Sequence, residues 1–166
     1  MYDTTIPVIV HGLKSLAVIL KKAEAHCADK KIKPEALLTF RLFPDMMPLI
    51  NQVTLVSDHA KGAGARLSGM ANPSFPDEEK TFDELQARIA KTIAFLESLD
   101  KTSFADAATR PVKVRISRDV EKEMAGAEYF NRIALPNFYF HLATAYNILR
   151  HNGVELGKGD FMGRDI

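Results

Sequence analysis

Apolar positions recur at spacings of three and four along most of this chain, the period of helices with one buried face. Ile6, Ile9, Leu13, Leu16, Leu20, Ala23 and Cys27 form a continuous stripe, which predicts a first helix over residues 5–28. Thr4 or Thr5 is placed to cap it, and Pro7 falls in the predicted first turn, where a missing amide hydrogen costs nothing. Lys14, Lys21, Lys22 and Glu24 lie off the stripe, as a solvated face requires. A polar connection from Asp29 to Pro34 and a short apolar piece, Ala36-Leu37-Leu38, follow. Phe43-Pro44-Asp45 opens the second helix, with Asp45 as N-cap, Pro48 in the first turn and Gly69 at the end. Its stripe is Met46, Ile50, Val53, Ser57, Ala60, Gly64 and Leu67. Gly62 and Gly64 inside it cost about 1 kcal/mol each relative to alanine. Close approach of another helix or room for a ligand would each compensate.

Breakers fill residues 71–77, after which Thr81-Phe82-Asp83-Glu84 has the form of a capping box. The third helix carries Phe82, Leu85, Ile89, Ile93 and Leu96 and ends near Asp100. The period then changes. Val112, Val114 and Ile116 alternate with Lys113, Arg115 and Ser117, which predicts a strand, and Val120 to Met124 supplies its partner in a small β-hairpin. The fourth helix begins near Ala127, is kinked or truly started at Pro136, and presents Leu135, Phe138, Leu142, Ala145 and Leu149 to the core. Gly153 suits the position past its end, and the glycine-rich tail 157–163 is expected to lie over one end of the assembly. The pattern as a whole describes an all-α four-helix bundle in a single domain over residues 1–166, with the hairpin held in the long connection between helices three and four.

Composition narrows the classes. In 166 residues, 46% hydrophobic and 26% charged, one core suffices and neither disorder nor a membrane protein is indicated. A net charge of +1 gives no electrostatic footprint for nucleic acid. Lys, His or Asn interrupts the apolar runs short of the roughly 18 residues of a membrane span. The N-terminal residues lack the basic start and cleavage site of a secretory signal, so the expectation is a cytoplasmic protein with no membrane and no nucleic-acid partner. Cys27 is the single cysteine and continues its helix's apolar spacing, which reads as a buried small hydrophobe.

Candidate chemistry is sparse. No nucleophile signature, phosphate loop or dinucleotide fingerprint is present. Polar candidates fall on three of the helices: His11 on the first, Asp58, His59 and Lys61 on the second, Asn137 and His141 on the fourth, the last two one turn apart on one face. Each has an ordinary reading beside a functional one. Asp58 and Lys61 fit a surface ion pair, His59 lies off the main stripe, and His141 suits a hydrogen-bonded core position. Asn137 can satisfy a backbone group freed at Pro136. Tyr139, with Phe138, Phe140 and Tyr146, reads as a core or interface aromatic or as part of a substrate box.

The words Phe43-Pro44-Asp45-Met46, Asp58-His59-Ala60-Lys61-Gly62, Leu135-Pro136-Asn137-Phe138-Tyr139-Phe140-His141 and Leu149-Arg150-His151-Asn152-Gly153 occur in that order. Across almost its whole length the chain resembles the uncharacterised bacterial and fungal domain-of-unknown-function family nineteen ninety-three, grouped with the DinB and YfiT-like bundles. The resemblance implies a DinB-like four-helix bundle and a homodimer. It also implies a divalent metal held by one histidine on helix two and two on helix four, in a group that includes thiol-dependent transferases and hydrolases. Transferred by position, the helix-four pair falls on Asn137 and His141, and the helix-two ligand on His59 or Asp58. Metal ligands would then be His59 and His141, with asparagine in place of the third imidazole, a set poorer than zinc or nickel prefers. The leading expectation is therefore a small-molecule or partner-binding protein with a degenerate metal site, its binding residues Asp58, Lys61, Asn137, Tyr139 and His141. The alternatives are a divalent-metal-dependent enzyme and a structural dimer whose polar core residues fix helix register.

Overall fold

A computed structural model describes residues 1–117, 119–164 and 166. The fold is mostly helical with one small antiparallel sheet. The long helices are α1 (Tyr2–Lys30), α3 (Leu49–Ser68), α4 (Phe82–Glu97) and α6 (Leu135–His151). Short helices α2 (Pro34–Leu38), α5 (Gly126–Tyr129) and α7 (Lys158–Phe161) fill connections, as does a 3-10 turn at Lys101–Phe104. The buried stripes converge on one core in which Leu13, Leu16, Leu20, Leu49, Val53, Leu85, Leu96, Phe138, Leu142 and Leu149 are all sealed from solvent. Cys27 is part of it, and burial, aided by Glu24, pushes its thiol pKa up. By length and composition α1 could cross a membrane, yet 56% of its most apolar window is buried within the protein.

Two helix starts differ from the sequence expectation. The first helix begins at Tyr2 with Met1 as its cap, so Pro7 sits in the second turn, and the hydroxyls of Thr4 and Thr5 donate to the Met1 carbonyl. The second long helix begins at Leu49, not after Asp45. Proline disfavours helical backbone in the residue before it, which favours the break at Met47–Pro48, although Ile6 and Leu135 stay helical before Pro7 and Pro136 inside longer helical runs. Residues 43–46 form a turn instead, closed by Met46 N–H to the Phe43 carbonyl. The short apolar piece folds as α2, with Pro34 at its start. The capping box on α4 forms as expected, with Thr81 and Glu84 bonding each other's backbone.

The hairpin pairs β1 (Pro111–Ser117) with β2 (Val120–Ala125), Val112 opposite Met124 and Val114 opposite Lys122. Val112 and Val114 are buried in the core, whereas Ile116, next to a register shift between Arg115 and Ser117, is exposed. Arg110 anchors the hairpin's base by donating to the carbonyls of Leu67 and Ser103. Gly126 follows, its amide donating to the Arg110 carbonyl.

From Gly126 to His151 the chain is continuously helical, but Phe130–Ala134 forms a π turn between α5 and α6. Pro136 lies in the first turn of α6, just past it. Packing explains Gly64 of α3, where a side chain would meet Leu96 Cδ2 at 2.5 Å and Leu99 Cδ1 at 2.9 Å. At Gly62 the nearest group is the guanidinium end of Arg66, which can swing aside, so contact alone does not require glycine there. The tail docks on α1 and α6: Ser15 donates to the Asp160 and Phe161 carbonyls, Lys22 pairs with Asp160, and the Phe161 ring packs on Tyr139 and Tyr146.

Candidate polar site between α3 and α6

Helix α3 presents Gln52 and His59, two turns apart, toward α6, which answers with His141. The His59 and His141 rings lie parallel within 12°, centroids 5.4 Å apart. His141 Nδ1 is 2.8 Å from Gln52 Oε1, and Gln52 Nε2 donates to the Met47 carbonyl at 2.9 Å. These bonds fix the polarity of the site. A carbonyl can only accept, so the Gln52 amide nitrogen faces Met47 and its oxygen faces His141, which must donate from Nδ1. Nε2 of His141 is left as the acceptor. Neither it nor His59 has a hydrogen-bond partner among the described residues, and neither side chain is sealed, so solvent reaches both. Phe140 stands edge-on to His141 and, like Met47, is more than half exposed.

Burial, with a smaller contribution from His59, holds the His141 pKa at about 4. Burial also lowers that of His59, opposed by Asp58 and assisted by Arg66. Both rings are therefore neutral at physiological pH. The stability consequence has a definite sign. Above the ordinary histidine value of 6.5 the ring is neutral in folded and unfolded chains alike. As pH falls from there toward 4, only the unfolded chain takes up a proton, and stability is lost. The expected loss is on the order of 2 kcal/mol for His141. Urea unfolding at pH 7.5 and 4.5 should show a smaller drop for His141→Gln than for the natural chain; equal drops would refute the assignment.

The other predicted site residues disperse. Asn137 donates from Nδ2 to the Ile133 carbonyl at 2.7 Å, one turn back and inside the π turn, which is the backbone-satisfying role open to it from sequence. Tyr139 stands on a different side of α6, against Phe138 and Phe161 of the tail, where burial raises its pKa. Asp58 and Lys61 pair at 2.9 Å but belong to a different centre, Arg88 of α4. The Arg88 side chain is 1% exposed and bonds Asp58, Asp77, Glu79 and the Pro76 carbonyl, so it clamps the segment 71–80 onto α3 and α4. Phe75 of that segment lies beneath the ammonium groups of Lys61 and Lys91. A cavity of about 300 Å³ beside it is lined by Phe75, Pro76, Glu79, Arg88 and Lys91 and is separate from the histidine pair.

Gln52 and Arg88 were not singled out by sequence, though each left a trace. Gln52 is seven residues from His59 and so shares its face, and Arg88 interrupts the apolar stripe between Leu85 and Thr92. The three-imidazole set implied by the bundle group is not met. Among the described residues no three His, Cys, Asp or Glu side chains gather to hold a metal ion, and the Asn137 amide is committed to backbone.

The comparisons agree with this architecture. The model of a domain of unknown function, DUF1993, matches residues 1–162. No curated protein matches the sequence. A crystal structure of a DinB family member protein from Shewanella denitrificans is similar over 97% of this chain and 90% of that one, with 42% identity and a TM-score of 0.90. The chain belongs to the DUF1993 family, and its structural neighbour accords with a DinB-like grouping.

Proposed function

We propose that this protein is a DinB-like four-helix bundle that binds a small molecule or a partner segment at the α3–α6 polar site, without a resident metal. One observation carries the reading: His141 Nε2 is an acceptor held in a fixed tautomer, yet it has no hydrogen-bond partner among the described residues. A half-buried acceptor oriented through Gln52 and Met47, stacked on a His59 that makes no hydrogen bond among the described residues and flanked by exposed Phe140 and Met47, suits a ligand that brings a hydrogen-bond donor on an apolar body. Asp58, Lys61 and Tyr139 support the scaffold on this reading rather than touch the ligand.

The test is a thermal-shift screen of untagged protein beside His141→Ala, with metal content measured in both. Compounds that raise the melting temperature of the natural chain but not of the variant, with no metal in either, are the expected result. Near-stoichiometric metal that disappears in His141→Ala would overturn it in favour of a metal-dependent enzyme.

A further inference from the structure

We infer that Asn137 is the residue that keeps this site free of metal, and that one substitution there restores a competent ion site. The inference rests on the metal-free reading above. Three imidazoles hold a divalent ion when two stand four apart on one helix and a third faces them. This chain has most of that arrangement. His141 stands four residues after Asn137, and His59 faces His141 from α3 across 5.4 Å. Metal-ligating histidines donate their second ring N–H to an oxygen, which fixes the tautomer and aims the other nitrogen at the ion. His141 has that outer support in Gln52 Oε1, at 2.8 Å. The supporting shell is intact while the ligand shell lacks one member.

What fills the missing position is explicit. The Asn137 amide turns back along its helix to the Ile133 carbonyl, where the π turn and Pro136 disturb the ordinary hydrogen-bond ladder. It acts as a backbone clamp, and its amide is withdrawn from the histidine pair. The two remaining imidazoles lie parallel, a packing arrangement of neutral rings. His59 makes no hydrogen bond among the described residues that would stop its ring from turning toward a third ligand.

The experiment compares the untagged natural chain, Asn137→His and Asn137→Asp, each with His141→Ala superimposed, after incubation with cobalt(II) or zinc and removal of excess ion. Aspartate is nearly isosteric with asparagine and would give the two-histidine, one-carboxylate set, so the test survives if the histidine variant does not fold. The expected result is no retained ion in the natural chain and about one per chain in a folded variant, with the visible bands of tetrahedral or five-coordinate cobalt and loss of uptake when His141→Ala is added. If both variants fold with near-native melting temperatures and retain no ion, the inference fails while the metal-free function stands. If the natural chain retains one ion that His141→Ala abolishes, both fail together.

Discussion

Arg88→Leu should cost about 3 kcal/mol of stability, among the largest effects of any single polar replacement in the protein. The guanidinium holds Asp58 of α3 together with Asp77 and Glu79 of the segment 71–80, while itself almost fully buried. Removing it leaves Glu79, whose side chain is only 13% exposed, with an uncompensated charge. Lysine should recover less than half of the loss, because a point charge cannot reproduce a planar fork that serves several acceptors. Asp77→Ala, which removes a partner that is more than half exposed, should cost no more than about 0.5 kcal/mol. Urea denaturation of the three variants checks the ranking. An Arg88→Leu loss below that of Asp77→Ala would show that the clamp contributes nothing net.

Gly126→Ala should be comparably damaging for a steric reason. A β-carbon there would lie 2.0 Å from the backbone oxygen of Ala107, which cannot swing aside as a side chain can. The chain must open between the 107–110 turn and α5, straining the bonds from Gly126 N–H to Arg110 and from Ala127 N–H to Ala108. Overpacking of this kind costs about 1–3 kcal/mol, and contact with backbone belongs at the upper end. Amide exchange should locate the damage: Val112 and Val114 lose protection, while the α1 core around Leu13 and Leu16 keeps it. Uniform loss along the chain would mean that the hairpin base is not a separable point of failure.

What the sequence made legible was whatever depended on local period. The α4 capping box, the α1 stripe and the change of period at Val112 each involve residues a few positions apart, and each folded as read. The start of α3 was misread because Asp45 looked like a cap, whereas residues 43–46 close a turn of their own and the bias that Pro48 places on Met47 works with it. The hairpin register was half legible, since alternation found Val112 and Val114 but could not show the register shift beside Ile116 or its exposure. The site was legible only in its histidines. Gln52 and His141 are 89 residues apart, and the bond between them depends on how α3 lies against α6, which no local pattern encodes. The same holds for Asp58, which pairs at 2.9 Å with its neighbour Lys61, as the spacing suggested, and equally with Arg88 thirty residues away, which no local pattern encodes.

The π turn at Phe130–Ala134 has one more consequence. Such a turn holds a residue more than an α-helical turn of the same span, and successive residues of a helix are about 100° apart in azimuth. The faces before and after it therefore follow different clocks. Tyr129, before the turn, packs its ring against Arg66, while His141, after it, meets His59 seven residues earlier on the same partner helix. On one unbroken α-helix the twelve residues from Tyr129 to His141 would set the two about 120° apart in azimuth. The surplus residue is thus a phase correction, and the length of the segment between Tyr129 and Asn137 is as much a determinant of the site as the side chains within it.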